Sequence, residues 1–294
     1  MKFCHGMIGV EPLDWCRIAK VCEEAGFDTV TLSDHVIYPE NLSSKYPYTP
    51  DGSPLFDPTE NWPDVWVAMG AMAAITTKLT FLTNVYVLPA RNPFVAAKAI
   101  GTAAVLSGDR VAIGVGAGWM REEFELMEQP FKRRGARMEE MIEVMRTLWK
   151  GGMAEFHGEF YDFDPVEMRP APNRSVPIHI GGHSEIAFDR AARIGDGWLG
   201  LYYPAKDLIE HCRHIHQIRE DVGTADRHFE IIASPLEAPT PDLLDDLEEA
   251  GVTSIITSSW FSKGISAPEI SKAEELIHRY AQRFIHPRRG HVES

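Results

Sequence analysis

Val176 to Trp198, VPIHIGGHSEIAFDRAARIGDGW, holds one complete structural unit and the start of the next. Pro177 to Ile180 is a short apolar run of strand type. Gly181-Gly182 breaks it, Ser184 follows where a helix N-cap belongs, and the chain then reads as helical until Gly197 opens a second apolar run. Strand, glycine turn, helix, strand is the pattern of a parallel sheet, because neighbouring parallel strands need a crossover long enough to hold a helix.

Working outward, the same unit recurs about eight times along the chain. The strand-like runs are Lys2 to Ile8, Thr29 to Ser33, Leu79 to Val85, Arg110 to Val115, Pro177 to Ile180, Gly197 to Leu201, Phe229 to Ala233 and Ser254 to Thr257. They are apolar on both faces, as strands covered by helices must be. Between them, apolar residues fall at helical spacing: Trp15, Ile18, Cys22 and Ala25; Met138, Met141, Ile142, Met145, Leu148 and Trp149; Leu208, Cys212, Ile215 and Ile218. Ile270, Ala273, Ile277, Tyr280 and Phe284 complete the series behind a Ser266–Glu269 capping box. This rhythm predicts an α/β fold, a (β/α)₈ (TIM) barrel in one domain over 1–294, in preference to a doubly wound sheet. Two insertions interrupt it, at about 34–62 and about 151–175. Asp34 to Trp62 is rich in Pro, Tyr, Ser and Asn without a period, and Glu155 to Pro172 alternates aromatic and polar residues around His157-Gly158, which predicts a hairpin. Both are expected to cover a site, with the hairpin plugging one barrel end as its alternative.

The 294 residues are 44% hydrophobic and 24% charged, enough core to need no disulfide or metal staple. A net charge of −14 speaks against nucleic acid and anionic membranes as partners. Cys4, Cys16, Cys22 and Cys212 form no metal-like cluster and read as reduced thiols. The longest apolar runs, Val65 to Ile75 and Val111 to Met120, are shorter than the roughly 20 residues a membrane span needs. The N-terminus shows no basic-then-apolar leader, so the expectation is a cytoplasmic protein. Val65 to Ile75 suits either a barrel-covering helix or the interface of a homodimer, which is the expected assembly.

In such a barrel the chemistry lies at the C-terminal strand ends, and the unusual residues gather there. Strand two ends in Ser33-Asp34-His35, strand three in Thr83-Asn84-Val85, strand four in Gly114-Val115-Gly116-Ala117-Gly118-Trp119, and strand five in Gly181-Gly182-His183-Ser184. The last of these has two readings. Its backbone N–H groups and helix N-terminus suit a phosphate, or Ser184 only caps the helix. The glycines at 114, 116 and 118 do not match the dinucleotide fingerprint; they leave room for a flat ring or for tight barrel packing. His35 is the acid–base candidate, with Asp34 as the group that orients it. His211, His214 and His216 read as a solvated face, and the run Lys132-Arg133-Arg134 with Arg137 as a helix start exposed to water, with docking of an anionic tail as its alternative.

TVTLSDH (Thr29 to His35), LTNVYVLPARNP (Leu82 to Pro93), GDRVAIGVGAGWMREEFE (Gly108 to Glu125), KRRGARMEEMIEVMRTLW (Lys132 to Trp149), HGEFYDF (His157 to Phe163) and the opening segment follow one another in order. Together they resemble the luciferase-like monooxygenase superfamily, and within it the oxidoreductases that use the deazaflavin coenzyme F-420. The resemblance covers about the first two thirds of the chain. It implies that His35 faces the reactive carbon of the deazaflavin beside Asp34. It implies that Asn84 and Val85 form a bulge, often a non-proline cis peptide, behind the ring. Gly116 and Gly118 would edge the ring, and Gly181, Gly182, His183 and Ser184 would take the phosphate. Relatives that oxidise a sugar phosphate carry a glutamate where this chain has Trp119, with Glu122 and Glu123 one turn later. Trp119 and Trp62 then suggest a flatter, more apolar substrate pocket.

The expected function is hydride transfer between coenzyme F-420 and a small organic substrate. The alternatives are an FMN-dependent monooxygenase and a non-catalytic flavin- or deazaflavin-binding barrel. No metal is expected.

Overall fold

A computed structural model describes residues 1–290 of the chain; 291–294, the tail of the expected domain, lie outside the described residues. The barrel strands are β1 (Lys2–Gly6), β2 (Thr29–Leu32), β3 (Thr80–Thr83) and β4 (Val111–Val115), followed by the hairpin strands β5 (Met153–His157) and β6 (Asp162–Glu167). The barrel resumes with β7 (Ile178–Gly181), β8 (Gly197–Tyr203), β9 (Glu230–Pro235) and β10 (Ser254–Thr257). Neighbours run in the order β1-β10-β9-β8-β7-β4-β3-β2 and close on themselves. Every pairing between them is parallel, from Lys2 opposite Ser254 to Leu32 opposite Thr83. This is the (β/α)₈ barrel that the alternation predicts.

The helices are α1 (Trp15–Ala25), α2 (Val65–Ala73), α3 (Pro93–Ser107), α4 (Arg121–Leu126), α5 (Arg134–Leu148), α6 (Glu185–Ile194), α7 (Ala205–Asp221), α8 (Pro241–Glu249), α9 (Ile270–Tyr280) and α10 (His286–Arg289). The stripes read from the sequence face inward: Trp15, Ile18, Cys22 and Ala25 are buried on α1, and Met138, Met141, Ile142, Met145 and Leu148 on α5. Cys4, Leu82, Leu199, Ile232 and Ile256 form a separate small cluster, contributed by strands from around the barrel. The cysteines are free. No helix of the described residues is long and apolar enough to cross a membrane.

Three local expectations are corrected. α9 starts at Ile270 with Glu269 as its N-cap and no side-chain cap bond, so Ser266–Glu269 is not a capping box. Arg137 is buried and donates to the carbonyls of Pro89 (2.8 Å) and Pro130 (2.6 Å), which suit a guanidinium's fan of donors better than water does here. Arg134 likewise donates to the Gly118 carbonyl at 2.9 Å. The β5–β6 hairpin neither plugs the barrel nor covers its mouth. Glu140 of α5 accepts from the Phe160 and Tyr161 N–H groups, and Phe163 meets Phe94 of α3 at 5.1 Å, so the hairpin is pinned to the helical layer.

Candidate active site

At the end of β2 the chain places two acidic groups around His35, and the partner is not the one expected. Asp34 is buried, and its carboxylate accepts from the Val87 N–H (3.0 Å) and from Arg91 (2.7 Å). Those bonds direct it away from the histidine. Burial raises the Asp34 carboxyl above its ordinary value, against the pull of Arg91 and the Val87 N–H. The His35 ring turns instead to Glu123 of α4, whose Oε2 stands 3.3 Å from Nδ1. The other oxygen of Glu123 accepts from the Val36 N–H at 2.7 Å. Burial pushes the Glu123 carboxyl up, but His35, the Val36 N–H and Arg91 outweigh it and hold it below the usual range. Neither sequence distance nor spacing announced this pair, since 88 residues separate its members.

The insertion after β2, together with Trp119 after β4, builds a box of rings round the imidazole. Phe56 lies 5.2 Å from the His35 ring, Trp62 5.4 Å and Trp119 6.0 Å, and Tyr46 meets Trp119 at 5.2 Å. The insertion is moored to α4: Glu122 accepts from the Ser43 N–H (2.8 Å), the Ser43 hydroxyl (2.5 Å) and the Ser44 N–H (3.0 Å). Burial raises that carboxyl, but the donors of Ser43 and Ser44 prevail and bring it down to about 2.

Behind β3 the Asn84–Val85 peptide is cis. The side chain of Val85 fills the space left by two glycines on neighbouring strands. A Cβ on Gly116 would stand 2.6 Å from Val85 Cγ2, and one on Gly181 would stand 2.7 Å from Val85 Cγ1. A Cβ on Gly118 would meet Val87 at 2.6 Å, and one on Gly114 the Thr83 carbonyl at 2.2 Å. Tight packing by the chain itself therefore accounts for these glycines.

The turn after β7 is also partly used by the chain. Ser184 Oγ accepts from the Ala187 N–H at 3.3 Å, which is the capping reading, and its own O–H is left free to donate. Gly182 sits at φ +134° with the Trp198 indole donating to its carbonyl at 3.1 Å. His183 carries no charge at neutral pH, because burial lowers it to about 4. Its ring lies between Tyr48 of the insertion (4.4 Å) and Tyr203 of β8 (4.2 Å). His211, expected in water, packs on Tyr203 at 4.5 Å.

A cavity of about 390 Å³ opens at the C-terminal mouth of the barrel, bordered by Gly6, Thr31, Ser33, Asn84, Tyr202 and Ser258 among others. Two of its polar groups, Asn84 Oδ1 and Ser258 Oγ, are buried and have no hydrogen-bond partner among the described residues. Of the site residues expected from sequence, Asn84 alone borders this cavity; Asp34, His35, Val85, Trp62, Trp119 and the four glycine-rich positions 116, 118, 181 and 182 do not, nor do His183 and Ser184. The two halves of the site join where the Ser33 hydroxyl donates to the Asn84 carbonyl at 3.1 Å. Among the described residues no group of three or more His, Cys, Asp or Glu is placed to hold a metal.

A closed parallel barrel with a histidine–carboxylate pair and an unsatisfied polar cavity at its C-terminal mouth has the layout of a barrel enzyme. The model of the luciferase-like monooxygenase family matches residues 9–254, and the chain belongs to that family of oxidoreductases. An uncharacterized protein of Mycobacterium tuberculosis is 39% identical over 256 residues, 87% of this chain and 88% of the relative. An F420-dependent glucose-6-phosphate dehydrogenase of Mycobacterium avium is 29% identical over 242 residues, 79% of this chain and 67% of that protein. In fold, the chain is similar to the crystal structure of monooxygenase RslO1 from Streptomyces bottropensis, with a TM-score of 0.77 at 19% identity over 98% of this chain and 100% of the other.

Proposed function

We propose that this oxidoreductase moves a hydride between the deazaflavin coenzyme F-420 and a small organic substrate. The observation that carries the reading is the pair of orphaned polar atoms, Asn84 Oδ1 and Ser258 Oγ, at a cavity of about 390 Å³ next to the His35 strand end. Buried polar groups without partners cost a free protein stability and regain it when a ligand supplies the missing bonds. A flat heterocycle edged with N–H and carbonyl groups is such a ligand, so the residues present fit a deazaflavin. The name of the Mycobacterium avium relative supports the same cofactor.

When bound, the deazaflavin supplies a carbon that accepts or gives the hydride. The chain does the rest. Asn84 and Ser258 would hold the ring at the cavity, with Val85 packed against Gly116 and Gly181 to fix the turn that carries Asn84. The backbone at Gly181 and Gly182 with the Ser184 hydroxyl offers uncharged donors to a phosphate, while His183, neutral and stacked, adds no charge. Gly116 and Gly118 act by admitting Val85 and Val87. His35 at Nε2 takes up or releases the proton that accompanies hydride transfer. Phe56, Trp62 and Trp119 exclude water from that proton and shape a flat, apolar substrate side. Asp34 serves by fixing Val87 and Arg91 in place behind the site.

The rival is FMN with molecular oxygen, which the same glycine turn supports and which the family's name favours. Titrating the protein with oxidised and reduced coenzyme F-420 and with FMN, followed by visible spectra, separates them. The expected result is tight F-420 binding with a substrate-dependent change in its absorbance; tight FMN binding with oxygen consumption would overturn it. We also propose a homodimer through α2, the turn after it and α3, which expose Val67, Ile75, Val95 and Leu106. Val67→Asp should leave a monomer in light scattering.

A further inference from the structure

We propose that Glu123 is the positioning residue for His35: it holds the imidazole by Nδ1 and so leaves Nε2 as the nitrogen that exchanges a proton with substrate. This rests on the reading of His35 given above. Three observations carry it. Glu123 is 1% exposed and spends both carboxylate oxygens on one short stretch of chain, Oε2 on His35 Nδ1 (3.3 Å) and Oε1 on the Val36 N–H (2.7 Å). That grip fixes the residue after the histidine as well as the ring, so imidazole and backbone cannot rotate apart. The second candidate for the role, Asp34, has its oxygens taken by Val87 and Arg91. The third is the ring box, which sets the imidazole edge-on to Trp62 and Trp119 at 5.4 Å and 6.0 Å.

A neutral imidazole in water prefers its proton on Nε2, and a carboxylate at Nδ1 reverses that choice. Glu123 therefore sets the tautomer: Nδ1–H donates to Oε2, and the lone pair of Nε2 is presented to the box. The charges that face this pair are Asp34 and Arg91, which already neutralise each other. Trp119 makes the arrangement coherent. With an indole at 119 on the ring-box side and Asp34 held by Val87 and Arg91, Glu123 acts through the imidazole and not on the substrate.

The test reads the tautomer directly. ¹⁵N NMR of the full-length, cofactor-free protein should show neutral His35 as the Nδ1–H form, and Glu123→Ala should return it to the Nε2–H form. Glu123→Gln keeps the shape and the Val36 bond, so it guards against misfolding of the alanine variant. With coenzyme F-420 and substrate present it should lower kcat about tenfold at nearly constant KM, and Glu123→Asp should recover part of the loss. A His35 in the Nε2–H form in the unaltered protein, or an unchanged tautomer in Glu123→Ala, overturns the proposal. Because the spectrum needs no turnover, that failure is distinct from failure of the functional reading, which would show as full activity in a protein lacking the His35 imidazole.

Discussion

The two flanks of the barrel mouth differ in how far the groups nearest the chemistry are answered by the chain. On the β2–α4 flank, both oxygens of Asp34 are answered by Val87 and Arg91, both of Glu123 by Val36 and His35, and Oε1 of Glu122 by Ser43 and Ser44, which leaves Glu122 Oε2 and the Trp62 indole N–H buried without a partner among the described residues. Where β3 faces β8 and β10, Asn84 Oδ1, Ser258 Oγ and the Tyr203 hydroxyl are buried and unanswered among the described residues. An answered group contributes to folding and holds geometry; an unanswered one weakens the free protein and has bonds to offer. The difference assigns work to each flank. Proton handling belongs to the answered side, where the imidazole must be held still, and ligand capture to the unanswered side.

The largest expected effect tests the answered flank at its centre. His35→Ala should reduce turnover by about 10²–10⁴ while leaving cofactor affinity within a few-fold. Steady-state kinetics set against a binding titration will check it, and equal losses of turnover and affinity would merge the two flanks into one. Next in size, Arg91→Leu removes the cation beside buried Asp34 and should cost about 3 kcal/mol of stability in denaturant titrations at neutral pH. The sign with pH follows from the carboxyl. Burial already raises it, and without Arg91 it rises further. A raised carboxyl favours the protonated fold, so the deficit appears as pH rises through the folded value and fades below about pH 4, where folded and unfolded chains are both protonated.

Each strand of the barrel is legible in the sequence because burial on both faces leaves uninterrupted apolar runs, and the helices because their stripes repeat at one period. The strand ends were legible as places. Their partners were not. Asp34 next to His35 is the natural pair on paper, yet adjacent residues at a strand end point apart, and a pair between residues 35 and 123 exists only once β2 and α4 have been brought together by the closed barrel. Gly116 reads as room for a flat ring or as tight packing and Gly181 as part of a phosphate turn, and at both the space is taken by Val85, whose position depends on the turn of a third strand. Arg137 shows the same limit from the other side: its run of positive charge looks solvated until the carbonyls of Pro89 and Pro130 converge on it.

A smaller effect sharpens the unanswered flank. Ser258→Ala deletes a hydroxyl that has no partner in the free protein, so stability should stay level or rise by up to about 1 kcal/mol. Cofactor affinity should fall by about fivefold, the worth of one neutral hydrogen bond of roughly 1 kcal/mol. Arg91→Leu and Ser258→Ala are thus opposites, one losing stability and the other losing affinity. A stability loss above about 1 kcal/mol in Ser258→Ala would mean that the hydroxyl is answered after all.

The smallest effect concerns how the aromatic box is kept in place. Glu122 is brought down to about 2 because the donors of Ser43 and Ser44 outweigh the upward push of burial. A carboxyl depressed in the fold lends stability above its ordinary value near ~4.3, and the contribution drains away as pH falls from there toward about 2. The Ser43 and Ser44 amides should therefore be protected from hydrogen exchange near pH 6 and lose that protection, after correction for intrinsic rates, across the lower interval. In Glu122→Gln protection should be weak at both ends, because an amide oxygen accepts less strongly than a carboxylate. Protection that survives in that variant would mean that the insertion is held by its rings alone, through Tyr46, Phe56 and Trp119, and that the answered flank depends less on its charges than its hydrogen bonds imply.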